Sequence, residues 1–221
     1  MGAHHSTAGK KENPMSRISI IGATGMIGGA ITREAQERGH DVIGTNRSGA
    51  ASNPVQGVTY RALDLTDTDA VMALAAESDV LVISVAGGRE TGDFGPVIRA
   101  HADLIAAAPT SRIFVVGGAG GLEMPNGTLL INAGVIPEEY ADEPRSFVEV
   151  LNLYRSADEG LDWVMLAPSP EIAPGGKAES YVLADDVPAG ERVTTGTFAA
   201  AALDEIETPA HRRTRFTVAD A

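Results

Sequence analysis

Cysteine is absent from the 221 residues, and lysine is nearly so, with Lys10, Lys11 and Lys177 the whole supply. The first absence excludes disulfides, thiolate nucleophiles and cysteine metal sites, and it accords with a reducing compartment, so a cytoplasmic location is expected. Long apolar runs are missing too. No stretch approaches the roughly 20 residues that a membrane span requires, and no membrane association is expected. Basic charge is short: 17 Lys and Arg face 30 Asp and Glu, a net charge of −13. That field repels nucleic acid and anionic lipid over most of the surface, so no nucleic-acid partner is expected and any anionic ligand needs a local basic or N–H-lined site. His40, His101 and His211 are too widely separated for a metal-ligand spacing.

What is present is a hydrophobic content of 43 % and enough length for a single α/β domain with a full core. Residues 1–14, including His4 and His5, read as an expression tag or disordered lead, and Met15 as the natural start. The chain is organised around Arg17 to Arg33, RISIIGATGMIGGAITR. Ile18, Ile20 and Ile21 predict a buried strand, which breaks into Gly22-Ala-Thr-Gly25-Met-Ile-Gly28 and then into a helical pattern. This is the layout of a dinucleotide-binding loop. Gly22 suits the tight turn, Gly25 lets backbone approach a pyrophosphate, and Gly28 lets the helix pack closely on the strand. The phosphates then meet free N–H groups at a helix N-terminus.

The remaining pattern alternates strands and helices. Helix 26–38 closes at Gly39 and a second strand runs from Asp41 to Thr45. An NAD-binding unit places an acidic residue about 20 positions past the glycines; here the chain reads Thr45-Asn46-Arg47-Ser48. A guanidinium with hydroxyl and amide neighbours suits the 2′-phosphate of NADP, although Arg47 could also be a solvated loop residue. A third strand over Gly57 to Leu63 precedes Asp64, which either accepts from an adenine amino group or helps Thr66 and Asp67 cap the helix near 67–77. The strand Asp79 to Val85 ends in Ala86-Gly87-Gly88, small residues that leave space for a ligand at the sheet's crevice. Helix 93–108 puts His101 on its apolar stripe, where a hydrogen-bonded buried histidine is expected. Residues 111–117 form a fifth strand, and the long irregular stretch 118–143 is apolar enough to be a folded cover over a pocket. Helix 143–159, a sixth strand over Leu161 to Leu166, a short strand near 180–183, a helix near 197–206 and a strand near 215–218 complete the chain. The expectation is a Rossmann-type α/β domain spanning 15–221, a doubly wound parallel sheet with a small C-terminal lobe, its substrate-binding part drawn from 118–143 and 170–221.

Many enzymes with this style of glycine loop use a Tyr-x-x-x-Lys pair as proton donor. Four positions after Tyr60, Tyr140, Tyr154 and Tyr181 stand Asp64, Pro144, Asp158 and Asp185, so that machinery is absent. Hydride transfer to a flavin or quinone needs orientation more than a strong acid, because the acceptor delocalises the charge itself. The absence fits that reaction, and it also fits a protein that only binds the nucleotide.

The segments IIGATGMIGG, FVVGGAGGLE, LDWVMLAPSPEIAPG and ETPAHRRTRFTVA resemble the atypical short-chain dehydrogenase/reductases grouped as NAD(P)H-binding, NADH-flavin-reductase-like or NmrA-like proteins. The resemblance covers residues 15–221 and implies a nicotinamide cofactor, NADPH given Arg47, with FMN, FAD or a quinone as the small-molecule acceptor. By position it implies that Gly22, Thr24, Gly25, Met26 and Ile27 meet the pyrophosphate. Asn46, Arg47 and Ser48 would then meet the 2′-phosphate, Asp64 and Leu65 the adenine, and Val85, Ala86 and Gly87 the ribose. Gly117, Pro168 and Ser169 would flank the nicotinamide, and Gly118, Ala119 and Leu122, where the cover begins, would touch substrate. Where the family tends to carry an acidic residue near its C-terminal helix, this chain reads Val193-Thr-Thr-Gly-Thr197. An NmrA-type regulator that senses NADP without turnover is the alternative reading.

Overall fold

The computed structural model describes residues 15–134 and 136–221; the lead 1–14 and Val135 lie outside the described residues. Its first half is a run of short parallel strands, each but β2 followed by a helix: β1 (Arg17–Ile21), α1 (Met26–Glu37), β2 (Asp41–Asn46), β3 (Thr59–Ala62), α2 (Thr68–Ala76) and β4 (Val80–Ile83). There follow α3 (Gly95–Ala107), β5 (Arg112–Val116), α4 (Asp142–Arg155) and β6 (Trp163–Pro168). Last come β7 (Glu171–Ala173), β8 (Tyr181–Ala184), β9 (Arg192–Thr194), α5 (Thr195–Glu207) and β10 (Thr214–Asp220). One sheet has the order β3-β2-β1-β4-β5-β6-β10-β8, parallel except for β8, which pairs antiparallel with β10. The order reverses between β1 and β4, and that topological switch point places a crevice at their carboxyl ends.

Alternation along the strands divides the core in two. Ile18 and Ile20, Val80 and Val82, Phe114 and Val116, Val164 and Leu166 face one layer, which α1 and α5 close with Ile31, Ala35 and Phe198. Ile21, Leu81, Ile83, Ile113, Val115 and Trp163 face the other, closed by residues of α2, α3 and α4 such as Leu74, Leu104 and Tyr154. Phe114, Phe198 and Phe216 are fully buried, each contributing about 1.5–3 kcal/mol relative to exposure. The run Ala199 to Ala202 is buried throughout, and side chains that small let α5 sit close to the sheet and to α1.

The C-terminal segment departs from expectation in detail. β10 and β8 extend the main sheet, α5 covers one of its faces, and only β7 and β9, paired in parallel, stand outside it. Neither of these three-residue strands is legible in the sequence, because so short a run carries no period. The stretch 118–141 contains three single 3-10 turns and a bridge between Glu123 and Leu129. Its start is pinned by Arg215 of β10, which is 2 % exposed and donates to the carbonyl of Gly121 (2.8 Å) and to Asp186 (2.9 Å).

At the opposite edge of the sheet, Arg112 of β5 donates to Glu205 Oε1 at 2.8 Å, and His211 Nδ1 lies 2.7 Å from Glu205 Oε2. Burial pushes the Glu205 carboxyl up, but hydrogen bonds with His211 and Arg112 outweigh it and hold the group below its ordinary value of 4.5. The charged form is therefore the one the fold favours. Glu205→Gln should lower unfolding free energy by about 3 kcal/mol, the usual cost of leaving a buried charge unpaired. A depressed carboxylate contributes fully above its unfolded pKa and loses that contribution as pH falls through its folded one. Denaturant titrations should therefore show the deficit of the variant shrinking below about pH 4.5; a pH-independent deficit would mean that packing, not charge, is responsible.

Candidate functional site

The site grows from the turn between β1 and α1. Gly22 holds a φ of +87°, and a Cβ there would lie 2.2 Å from the Ser84 carbonyl oxygen just past β4. A Cβ on Gly28 would lie 2.2 Å from the Gly22 carbonyl oxygen. These two approaches lock the helix against the strands. Gly25 differs: it is exposed, and a Cβ there would meet only the Gly22 carbonyl, at 3.3 Å. It is the N-cap of α1 and supplies no side-chain cap. The first-turn amides of Met26, Ile27 and Gly28 have no intrahelical acceptor and lie at the positive end of the helix dipole.

Three recesses ring this turn along the carboxyl edge of the sheet, with volumes of about 710, 500 and 810 Å³. They share lining residues around Thr24, Gly25, Met26, Arg47, Val85 and Ala86, so they form one continuous track.

The 710 Å³ recess holds Arg47 and, from the exposed side of α1, Arg33, which sequence reasoning missed. No carboxylate lines it. Among the described residues neither guanidinium has a hydrogen bond or ion pair within the protein. Asn46 does not itself offer a free group here. Its Nδ2 donates to Thr24 Oγ1 (3.1 Å) and the Ala50 carbonyl (2.7 Å), and its Oδ1 accepts from the Ser48 amide, the Ser48 hydroxyl and the Gly49 amide. Asn46 and Ser48 thus shape the loop that presents Arg47.

The 500 Å³ recess brings Asp64 and Leu65 beside Val85, Ala86 and Gly87. Asp64 Oδ1 accepts from the Thr66 amide (2.9 Å) and hydroxyl (2.8 Å), and these bonds, with a smaller contribution from Arg47, hold its carboxyl below the usual range. Thr66 therefore serves Asp64, and it is Asp67 that caps α2 by accepting from the Ala70 amide.

The 810 Å³ recess is lined by Ile27, Gly117, Gly118, Ala119 and Pro168, all close to their expected places. It is also flanked by Phe94, Tyr140 and Phe147, aromatics that the sequence reading did not assign. A Cβ on Gly88 would fall 2.6 Å from the Phe94 ring and one on Gly118 would fall 2.7 Å from the Phe147 ring, so each ring lies directly on glycine backbone. At the mouth Arg89 donates Nε to Glu143 Oε2 at 2.7 Å and Nη2 to Oε1 at 2.5 Å.

One expected contact is corrected, and the part a second can play is narrowed. Leu122 is fully buried and lines none of the three recesses, because the turn after β5 sends its side chain inward, leaving Leu130 and Ile136 to supply the apolar cover. Ser169 reaches the recess wall, yet it is fully buried and its hydroxyl donates to the Val218 carbonyl at 2.8 Å, a bond that ties β6 to β10 rather than offering a donor to ligand. His101 is as expected: 2 % exposed, with Nδ1 3.0 Å from the Tyr154 hydroxyl. Burial depresses its pKa to about 4, so it stays neutral at physiological pH. Among the described residues no cluster of His, Asp and Glu could hold a metal ion, and no helix is long and apolar enough to cross a membrane.

A glycine turn between parallel strand and helix, set at the switch point of a doubly wound sheet, defines a Rossmann-type dinucleotide-binding protein. A family model described as NAD(P)H-binding matches residues 22–209, and the chain belongs to that family. An uncharacterised protein of Bacillus subtilis, YwnB, is 30 % identical over 210 residues, covering 91 % of this chain and 97 % of that protein. The fold is similar to the crystal structure of a candidate epimerase from Bacteroides thetaiotaomicron, with TM-score 0.82, 26 % identity and coverage of 93 % and 97 % of the two chains. It is also similar to that of a candidate NADH-flavin reductase from Streptococcus pneumoniae, with TM-score 0.77, 24 % identity and coverage of 93 % and 100 %.

The different surroundings of the loop glycines separate binding from folding. Gly25→Val should abolish NADPH and NADH binding in a titration while leaving the melting temperature within a few degrees, since it fills the track and touches little else. Gly28→Ala should instead lower the melting temperature sharply, because its methyl group meets backbone. Retained binding in Gly25→Val would remove the loop from the site.

Proposed function

We propose that this chain is an NADPH-dependent reductase that aligns a planar acceptor with the nicotinamide. The observation that carries the cofactor half of this reading is the pair of unpaired arginines, Arg33 and Arg47, in a recess without a carboxylate. Two free guanidiniums fit a dianionic 2′-phosphate, which NAD lacks. The α1 amides and Gly25 would hold the pyrophosphate, Asp64 would accept from the adenine amino group, and Val85 to Gly87 would line the ribose. Gly117 and Pro168 would flank the nicotinamide. When bound, NADPH supplies a hydride, and the acceptor takes a further proton from solvent to leave NADP⁺ and a two-electron-reduced product.

The acceptor half rests on the 810 Å³ recess. Its rings on glycine backbone and its cover of Leu130 and Ile136 suit a flat conjugated molecule. No lysine or histidine lines it, and its one phenol, Tyr140, is 66 % exposed. The side chains here can exclude water and orient the acceptor but cannot deliver a proton from a buried acid, which favours acceptors that delocalise their own charge. A space of this size beside the nicotinamide position favours turnover over sensing alone.

The test pairs turnover with binding. NADPH oxidation, followed by nicotinamide absorbance with a quinone or flavin, should saturate and require both protein and acceptor; tight NADPH binding without turnover would make the protein an NADP sensor instead. Arg47→Ala and Arg33→Ala should each weaken NADPH binding by about 1.5–3 kcal/mol, the range for a charged hydrogen bond, with little effect on NADH. Equal losses for both nucleotides would overturn the 2′-phosphate assignment.

A further inference from the structure

The two ends of the track carry opposite charge. At the nucleotide end stand Arg33 and Arg47, without a hydrogen bond or ion pair among the described residues and in a recess that no carboxylate lines, with Asp64 in the adjoining recess near enough to feel Arg47. At the acceptor end the recess is lined by Glu139, Asp142 and Glu143 of the cover and the start of α4, with Glu138 next to them in the chain. Two guanidiniums oppose them, and both are engaged. Arg145 binds Glu138 at 2.8 Å and Asp142 at 3.2 Å, and Arg89 makes its two-pronged pair with Glu143. Four carboxylates against two arginines leave a surplus of two negative charges here, part of the protein's net −13.

We infer that the acceptor is an uncharged planar molecule, a quinone or an unphosphorylated flavin, and that phosphate-bearing flavins such as FMN are selected against. The inference rests on the reductase reading and narrows its acceptor. The aromatic faces of Phe94 and Phe147 reward any conjugated ring alike, so they do not discriminate riboflavin from FMN. Charge does. A phosphate tail leaving the recess passes Glu139, Asp142 and Glu143, and the one guanidinium lining that recess, Arg89, is already bound at both nitrogens that face its partner. Like charges within a Debye length repel even in water, and the effect weakens with salt. The same asymmetry gives the nucleotide a single direction of entry, with its phosphate-rich half toward the arginines.

Riboflavin and FMN differ only in the phosphate, which makes them the test pair. In the presence of NADP⁺, quenching of flavin fluorescence should show riboflavin binding about tenfold more tightly than FMN at low ionic strength, with the gap closing to under about threefold in high salt. With NADPH, kcat/KM should follow the same order, and an uncharged benzoquinone should be reduced without salt dependence. Glu143→Gln, which frees Arg89, and Glu139→Gln should each narrow the riboflavin-to-FMN binding ratio, Glu143→Gln more so. FMN bound as tightly as riboflavin at low salt, or a ratio unmoved by either substitution, would overturn the inference while leaving the reductase standing. No flavin binding and no turnover with any acceptor would bring down the reductase reading, and this inference with it.

Discussion

Everything in the site depends on how closely the first turn of the chain approaches its neighbours. The Gly22 α-carbon sits so near the Ser84 carbonyl, and Gly28 so near the Gly22 carbonyl, that a single methyl group at either place would collide with backbone. These are contacts between main-chain atoms, which cannot rotate away as side chains do. They fix α1 against β1 and β4, and so fix where the uncapped amides of α1 emerge. The three recesses are the spaces left around that one contact. Loosening it would displace the arginine pair, the recess around Asp64 and the aromatic pocket together.

The division of charge along the track follows from the fold as much as from composition. Arg33 lies on the exposed face of α1, Arg47 on the loop after β2, and Asn46 spends its polar atoms holding that loop in shape. On the far side of the switch point, the cover and α4 contribute carboxylates. A strongly acidic protein thus gathers two arginines without ion pairs at one end of the track and leaves the opposite end to the prevailing sign. On the reading proposed above, that division would orient an incoming nucleotide before any contact is made.

Much of this was legible from local pattern. The glycine turn was readable because strand, turn and helix are contiguous, and each of Gly22, Gly25 and Gly28 has a role fixed by its immediate neighbours. Arg47 and Asp64 were readable because they follow strands whose ends must reach the crevice. Arg33 was not, since a helix arginine looks like any solvated charge until the packing of α1 places it beside Arg47. Leu122 misled because apolarity does not say whether a side chain faces a pocket or the core. Ser169 does lie at the recess wall beside Gly117 and Pro168, but only the pairing of β6 with β10 shows that its hydroxyl is already bonded to Val218. In the third recess Phe147 is distant in sequence from the glycine that seats it, and no local signal joins it to Gly118.

The position of β10 in the sheet has a consequence for biosynthesis. It lies between β6 and β8, bonded to both, although it is made after either of them. While residues 214–220 are still within the ribosome, β6 has an open edge and β8 has no partner, and Arg215 is not yet in place to hold Gly121. Nor can the half built from β1 to β5 close fully before then, since Phe198 of α5 packs against Ile31 and Ala35 of α1, and Pro174 and Thr195 line the recess that holds Arg33 and Arg47. Both core layers and all three recesses are therefore completed together, only once the last helix and the last strand have left the ribosome.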